Sequence, residues 1–482
     1  MTTRLDETLK REAPDARRLL EAQRASFRAE AGADARVRRD RLERAIALLV
    51  DHQLEICAAL ADDFGRRPAT LTRFVDILPA LSSLKYARRH VRRWMRPQRR
   101  RIGLPIGAPG VRAEIVPQPV GIVGVISPWN FPITLTFGPL AGILAAGNRC
   151  LVKPSELTPA VSTLMATRVA QYFDPTEVAV VAGGAEVAQA FSQLPFDHLM
   201  FTGSTSTGRR VMAAAAEHLV PVTLELGGKC PVLIGSSAPL ARTVDRILMG
   251  KLTNSGQMCI APDYVLLPEN MLEPFVREAA AWMERAYPGS GSDPNYTSLV
   301  SERHAERMRV LLADAAARGA RVISLGERTE AGVQSRYIAP ALILGATDDM
   351  RVMQEEIFGP LLPVRTYREI GSAIEEVNAR PKPLALYYFG EDRREMQWVL
   401  AHTVSGGATV NDVAVHFLAE ELPFGGIGAS GMGAYHGEHG FWQFSHARAI
   451  FRQTRFDVHG FVGLRPPYGP RAERILKWLI RR

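Results

Sequence analysis

Four short stretches carry side chains able to do chemistry. In NSGQMCIAPDY (254–264), Cys259 follows small, polar, flexible residues, whereas Cys57 falls in an apolar helical run. A thiol presented beside backbone N–H groups has the setting of a low-pKa nucleophile, although spacing alone does not make it catalytic. In VTLELGGK (222–229), Glu225 lies within an apolar strand just before a glycine pair. A carboxylate facing an apolar interior is costly in its charged form, so its pKa rises and it suits a general base. The alternative is a Glu turned to solvent from an edge strand. In CLVKPSELTP (150–159), Lys153 and Glu156 stand just past the C-terminal end of a strand, the edge at which open α/β sheets bind ligands. Lys there meets an anion or a ribose, and Glu accepts from ribose hydroxyls; a solvated loop with an incidental ion pair is the plainer reading. In FTGSTSTGRR (201–210), a strand runs through glycine and hydroxyl residues into a helix, whose free N–H groups suit a pyrophosphate. The stretch lacks both GxGxxG and GK[ST], and a Gly-capped strand-to-helix turn reads equally. His436 and His439 flank Glu438 without HExxH spacing and no GxSxG occurs, so neither a metal site nor a serine nucleophile is expected.

The elements that must hold these residues are those of an α/β protein. The first hundred residues carry apolar positions at helical spacing (Val37, Leu42, Ile46, Leu49, then Leu54, Cys57, Leu60), and a further helix runs from near Thr70 to Pro97. Residues 111–117 read as an extended arm. From Val120, apolar runs alternate with helical segments. Strands are predicted at 120–126, 150–153, 178–181, 198–203 and 222–226, then at 264–268, 321–325, 337–344, 361–367, 384–389 and 408–411. Such runs, without alternation and separated by helices, predict parallel sheets covered on both faces. The Gly-rich segment after Asn411 looks too irregular to join a core. Pro128, Pro132 and Pro139 break the uncharged stretch 120–147, which is therefore not read as a membrane span.

In this order, SPWNFP (127–132), KPSE (153–156), FTGST (201–205), LELGGK (224–229), NSGQMC (254–259), EEIFGP (355–360) and PFGGIGASGMG (423–433) resemble the NAD(P)-dependent aldehyde dehydrogenase superfamily over about residues 110–455. The short front end, APDY (261–264) and SGMGAYHG (430–437) are similar to its class 3 branch, and within it to bacterial coniferyl aldehyde dehydrogenases. The resemblance implies a Rossmann-type cofactor domain (1–110 and 121–225), an α/β catalytic domain (226–411), bridging and oligomerisation segments (111–120 and 412–455) and a basic tail (456–482). It implies Cys259 as nucleophile, Asn130 with the Cys259 backbone N–H as oxyanion donors, and Glu225 as the base that activates water. Lys153 and Glu156 would meet the adenine ribose, Gly203 and Ser204 the pyrophosphate, and Glu356 and Phe358 the nicotinamide ribose and ring, with Trp129 also on the cofactor side. NAD is the expected cofactor, because a 2′-phosphate would face Glu156; class 3 relatives also use NADP. An aromatic, coniferyl-type aldehyde is the expected substrate, with medium- or long-chain aliphatic aldehydes as the alternative. CoA-acylating and non-catalytic readings are disfavoured by Glu225 and by the intact Cys259–Asn130–Glu225 set. Met258 stands where relatives often carry a smaller or β-branched residue, and Cys230 where they carry Ser or Asn.

Composition limits the partners. The 482 residues carry 59 Lys and Arg against 50 Asp and Glu, and only seven of the basic residues are Lys. The excess is local: residues 88–101 hold eight Arg and no acid, and residues 471–482 hold five basic residues and one Glu. The remainder is slightly acidic, so nucleic acid is not an expected partner. The tail segment ERILKWLIRR can lie at an anionic membrane surface or pack on protein. Four cysteines without CxxC, and an N-terminal stretch without an apolar core, suggest a reducing, cytoplasmic setting. A homodimer follows from the class 3 resemblance.

Overall fold

The computed structural model describes residues 13–30, 32–103, 110–289, 293–326, 336–455, 460 and 463–481. The front end is helical, with helices at Ala13–Ala29, Ala35–Asp51 and Gln53–Phe64. Asp34 caps the second by accepting from the N–H groups of Arg36 and Val37. Leu42, Leu49 and Leu60 turn inward, but Leu54 is exposed and Ile56 takes the core position instead. The next helical region begins at Ala69 and passes through a π-helical turn, Arg73–Ile77, before the helix Leu78–Trp94. That helix stops short of Pro97, with Trp94 buried and Arg92 and Arg93 in solvent. Beyond Pro97 the charge run continues as a strand, β1 (Gln98–Arg100).

The first large sheet contains β3 (Ile122–Ile126), β4 (Arg149–Lys153), β5 (Val178–Val180), β6 (His198–Thr202), β7 (Val222–Glu225) and β15 (Gly431–Met432), in the order β15–β7–β6–β3–β4–β5. All neighbours are parallel except β15 and β7. Every residue of β3, β4 and β6 is buried, as strands covered on both faces require. The chain builds β3, β4 and β5 in one direction, then returns to lay β6 and β7 on the other side of β3. The strand order reverses between β3 and β6, and the C-terminal ends there open a crevice.

The second sheet runs β10 (Arg321–Ser324), β11 (Ala341–Leu344), β12 (Leu361–Tyr367), β9 (Tyr264–Pro268), β8 (Pro231–Ile234), β13 (Ala385–Phe389), β14 (Gly407–Val410), parallel except at β10. The strand expected over 337–344 is confined to 341–344. The buried strand β8 was not expected, because four apolar residues behind a glycine pair leave no period to read. The third sheet is antiparallel: β1, β2 (Arg112–Pro119) and β16 (Ser445–Arg452), with Arg112 opposite Arg452 and Pro119 opposite Ser445.

The segment after Asn411 corrects one expectation. Phe424, Tyr435, Phe441 and Phe444 are all buried in the main core, and the helix Gly437–Gln443 packs on Thr134–Ala146. Gly431 pairs with Glu225 across the β15–β7 edge. Glycines allow this backbone to approach others closely, so an irregular sequence still fills a core. Near the C-terminus the helix Pro470–Leu479 buries only Ala472 and leaves Leu476, Trp478 and Leu479 exposed. Expectations for the tail at 456–459, 461–462 and 482 lie outside the described residues. Among the described residues no helix is long and apolar enough to cross a membrane.

Candidate active site

The C-terminal edge of the first sheet faces the N-terminal edge of the second, and a cavity of about 1200 Å³ lies along the joint. Its lining includes Asn130 after β3, Lys153 at the end of β4, Ser204 after β6 and Glu225 at the end of β7, together with Cys259 and Glu356, which precede β9 and β12. All ten predicted site residues line it: Trp129, Gly203, Glu156 and Phe358 complete the set.

Cys259 follows an unusual turn. Asn254, Ser255 and Gly256 all have left-handed backbones, with φ of 51°, 54° and 74°. At Gly256 a Cβ would stand 2.3 Å from the Gly359 carbonyl oxygen, so glycine is required by contact as well as by conformation. Gln257 fixes the turn by donating to the carbonyls of Asn254 (2.9 Å) and Ser298 (3.2 Å) and by accepting from the Val300 N–H (2.9 Å). The Cys230 thiol donates to the Cys259 carbonyl at 3.4 Å, so the cysteine at 230 helps hold the Cys259 backbone. Burial pushes the Cys259 thiol up, and the carboxylates of Glu356 and Glu225 add to this; the N–H groups of Cys259 and Ile260 oppose it. Without cofactor the side chain is therefore a neutral thiol, not the low-pKa nucleophile that the sequence suggested. A raised pKa leaves a thiolate fraction that grows tenfold per pH unit. Alkylation of Cys259 by iodoacetamide in cofactor-free protein is thus expected to be slow at pH 7 and to climb about tenfold per unit to pH 9. A plateau near neutrality would contradict it.

Asn130 is buried, and its Nδ2 donates one hydrogen to the Gln257 carbonyl at 3.1 Å. The amide has a second N–H, which this bond leaves available. Glu225 is 3% exposed, and neither carboxylate oxygen has a hydrogen-bond partner. Burial alone raises its pKa well above the carboxylate range, as expected for a Glu facing the interior, and the solvent-facing alternative falls.

On the cofactor side, Ser204 caps the helix Thr205–Ala216 by accepting from the Thr207 N–H, and the Gly203 N–H donates to the Glu225 carbonyl at 3.0 Å. Lys153 is buried, its Nζ donating to the Pro154 carbonyl, while Glu156 is exposed. Glu356 is pushed up to about 8 by burial and then by Asp263, against the Gly228 N–H and Lys229. A Cβ on Gly227 would meet its Oε2 at 2.0 Å, so the glycine pair makes room for this carboxylate. Lys229 bonds Asp263 and donates to the carbonyls of Val352 (2.7 Å) and Glu355 (2.9 Å), while Asp263 accepts from the Ile357 N–H (2.9 Å). These bonds hold the loop that carries Glu356 and Phe358. Phe358 has φ 51°, and its ring meets Trp129 edge-on at 5.4 Å; Trp129 also contacts His304 at 4.9 Å.

Two charged positions beneath the site escaped the sequence reading. Arg67 and Asp76 form a fully buried ion pair at 2.9 Å beneath the Asn130 loop. Separating such a pair costs about 3–5 kcal/mol. Nothing in FGRRPAT or in the helix that follows marks these two among 52 arginines and many acids, since the signal is tertiary.

The cavity fits a dinucleotide on the chemistry of its lining. A capped helix N-terminus with exposed hydroxyls and the cations Arg210, Arg303 and Arg307 suits phosphates, and the Trp129–Phe358 pair offers a flat ring surface. A dinucleotide cleft that ends on a cysteine, a buried amide and an unpartnered carboxylate is the layout of a dinucleotide-dependent oxidoreductase. Residues 3–450 match the aldehyde dehydrogenase family, and the chain belongs to it. It is 49% identical over 450 residues to the coniferyl aldehyde dehydrogenase of Pseudomonas sp., covering 93% of this chain and 92% of that one. A substrate-bound Staphylococcus aureus AldH structure aligns with a TM-score of 0.89 at 35% identity, over 96% and 99% of the two chains. A Mycobacterium tuberculosis aldehyde dehydrogenase complexed with NAD+ aligns with a TM-score of 0.82 at 27% identity, over 91% and 90%.

Proposed function

We propose that this aldehyde dehydrogenase oxidises a hydroxycinnamyl aldehyde of the coniferyl type to its carboxylic acid, with NAD+ preferred to NADP+. The observation that carries the mechanism is the convergence of Cys259, Asn130 and Glu225 on one cavity at the joint of the two sheets. The substrate class is supported by the likeness to the Pseudomonas coniferyl aldehyde dehydrogenase. In this reading, Ser204 and the helix behind it hold the pyrophosphate, Lys153 and Glu156 the adenine ribose, and Glu356 with Phe358 and Trp129 the nicotinamide end. Bound there, the dinucleotide supplies the hydride acceptor.

The chain's own residues do the rest. Deprotonated Cys259 adds to the aldehyde carbon, forming the C–S bond and moving the carbonyl π pair onto oxygen. The free N–H of Asn130 and the N–H of Cys259 hold that oxyanion, and fixed donors of this kind cost no reorganisation as the charge develops. Loss of hydride re-forms the carbonyl as a thioester on Cys259. Glu225, in its charged form, takes a proton from water. The resulting hydroxide adds to the thioester, the C–S bond breaks, and the acid departs.

The test is NADH release over two panels, hydroxycinnamyl aldehydes and C8–C12 aliphatic aldehydes, with NADP+ in parallel. The reading expects kcat/KM at least about tenfold higher for the aromatic panel, equivalent to roughly 1.4 kcal/mol of transition-state binding. Aliphatic aldehydes outperforming aromatic ones would overturn the substrate class. Turnover that needs CoA would overturn hydrolysis by Glu225.

A further inference from the structure

We propose that the buried Arg67–Asp76 pair, together with Asn254, is a clamp that fixes the backbone of Asn130 and thereby aims its amide at the reacting oxygen. This rests on the reading of Asn130 as an oxyanion donor.

The clamp consists of bonds that converge on one carbonyl. Arg67 Nη1 donates to the Asn130 backbone carbonyl at 2.7 Å, and Asn254 Nδ2 donates to the same oxygen at 3.2 Å. Arg67 Nη1 also reaches Asn254 Oδ1 at 3.4 Å. Asn254 Nδ2 and Asn130 Nδ2 both donate to the Gln257 carbonyl, at 3.3 and 3.1 Å. The Asn130 main chain and side chain are thus tied to the same left-handed turn that presents Cys259 two residues after Gln257.

Arg67 is itself immobilised from below. Its Nη2 donates to Asp76 Oδ2, while Asp76 Oδ1 accepts from the N–H groups of Ile133 (3.0 Å) and Thr134 (2.7 Å). The helix Thr134–Ala146 has no capping side chain of its own, so Asp76 serves as its N-terminal cap from another element. Asp76 lies in the π-helical turn Arg73–Ile77, a local widening often found where a side chain must be re-aimed. The guanidinium also sits over the rings of Phe64 (4.8 Å) and Phe131 (5.3 Å). One pair therefore spans Asn130, Ile133 and Thr134 on the two sides of Phe131 and couples that loop to the nucleophile turn. Lys cannot replace the planar fork of Arg, which makes both bonds at once.

A double-mutant cycle tests the clamp. Arg67→Lys is expected to lower kcat about 10–100-fold, with KM for NAD+ within about twofold, the size expected of a misplacement near 1 Å. Asn130→Ala is expected to lower kcat about 10²–10³-fold. In the Asn130→Ala background, Arg67→Lys should lower kcat by no more than about twofold, because its effect passes through the amide now missing. A general loss of structure would lower kcat equally in both backgrounds, and that additivity would overturn the clamp. So would a loss confined to KM for NAD+. Full kcat in Asn130→Ala would instead remove the oxyanion reading on which the clamp rests. Should Arg67→Lys not fold, Asn254→Asp keeps the left-handed turn, removes one of the two donors to the Asn130 carbonyl, and is expected to show the same non-additivity with Asn130→Ala; additivity there overturns the clamp as well.

Discussion

Cys259→Ala is expected to abolish aldehyde oxidation, lowering kcat by about 10⁴-fold or more, as loss of a covalent nucleophile does elsewhere. The reason is the isolation of the thiol. The Cys230 thiol, which packs against the Cys259 backbone, is fully buried and already donates to the Cys259 carbonyl, so it cannot substitute. Asn130 and the backbone donors would survive the change, but with no thiohemiacetal there is no oxyanion for them to stabilise. The substitution removes one partly exposed sulfur and should cost the fold little, about 1 kcal/mol. The measurement is NADH release with intact thermal stability and NAD+ binding as controls. Turnover within tenfold of wild type would dismiss Cys259 as nucleophile.

Glu225→Gln is expected to separate the two halves of the reaction. Gln has the same shape but accepts no proton, so oxidation proceeds to the thioester and stops there. The signature is a burst of one NADH per active site, followed by a steady state slower by about 10²–10⁴-fold, with an acyl adduct on Cys259 in the intact mass. The pH dependence follows from the raised pKa. A carboxyl held well above its usual range is neutral at low pH and gains its basic form as pH rises. Hydrolysis in the wild type should therefore accelerate with pH on this limb, and the Gln variant should lose that dependence. Undiminished steady-state turnover would refute Glu225 as base.

The two predictions depend on residues whose types were legible and whose surroundings were not. Strands such as Tyr264–Pro268 and Leu361–Tyr367 fall on their predicted residues because short, mostly apolar runs bounded by Gly, Pro and charged residues leave little choice. Glu225 was legible as a buried acid because apolar neighbours flank it within a strand. Cys259 was legible as a residue, but its charge state was not. Presentation after flexible polar residues suggested a low pKa, whereas the folded chain desolvates the thiol and sets Glu356 and Glu225 near it. Arg67 and Asp76 were invisible because their role is created by contacts 63 and 57 residues away in the chain, with Asn130 and Ile133. The core role of Phe424 and Tyr435 was hidden for the opposite reason: glycine-rich backbone obscures periodicity while permitting close packing.

The short pairing of Gly431 with Glu225 has a consequence for biosynthesis. The strand that ends in Glu225 remains an open edge until residue 432 has left the ribosome, 207 residues after Glu225 itself. At roughly 5–20 residues per second that is a delay of about 10–40 s. The arm is bound by the same timetable, since β2 waits for β16, which begins more than 300 residues downstream. The nascent chain thus carries a complete set of β3–β7 sequences, with Cys259 already translated, before its last segment can pair with Glu225. Synthesis and activity are separated in time, and a ribosome stalled anywhere between the two halves of that pairing would hold an unfinished enzyme.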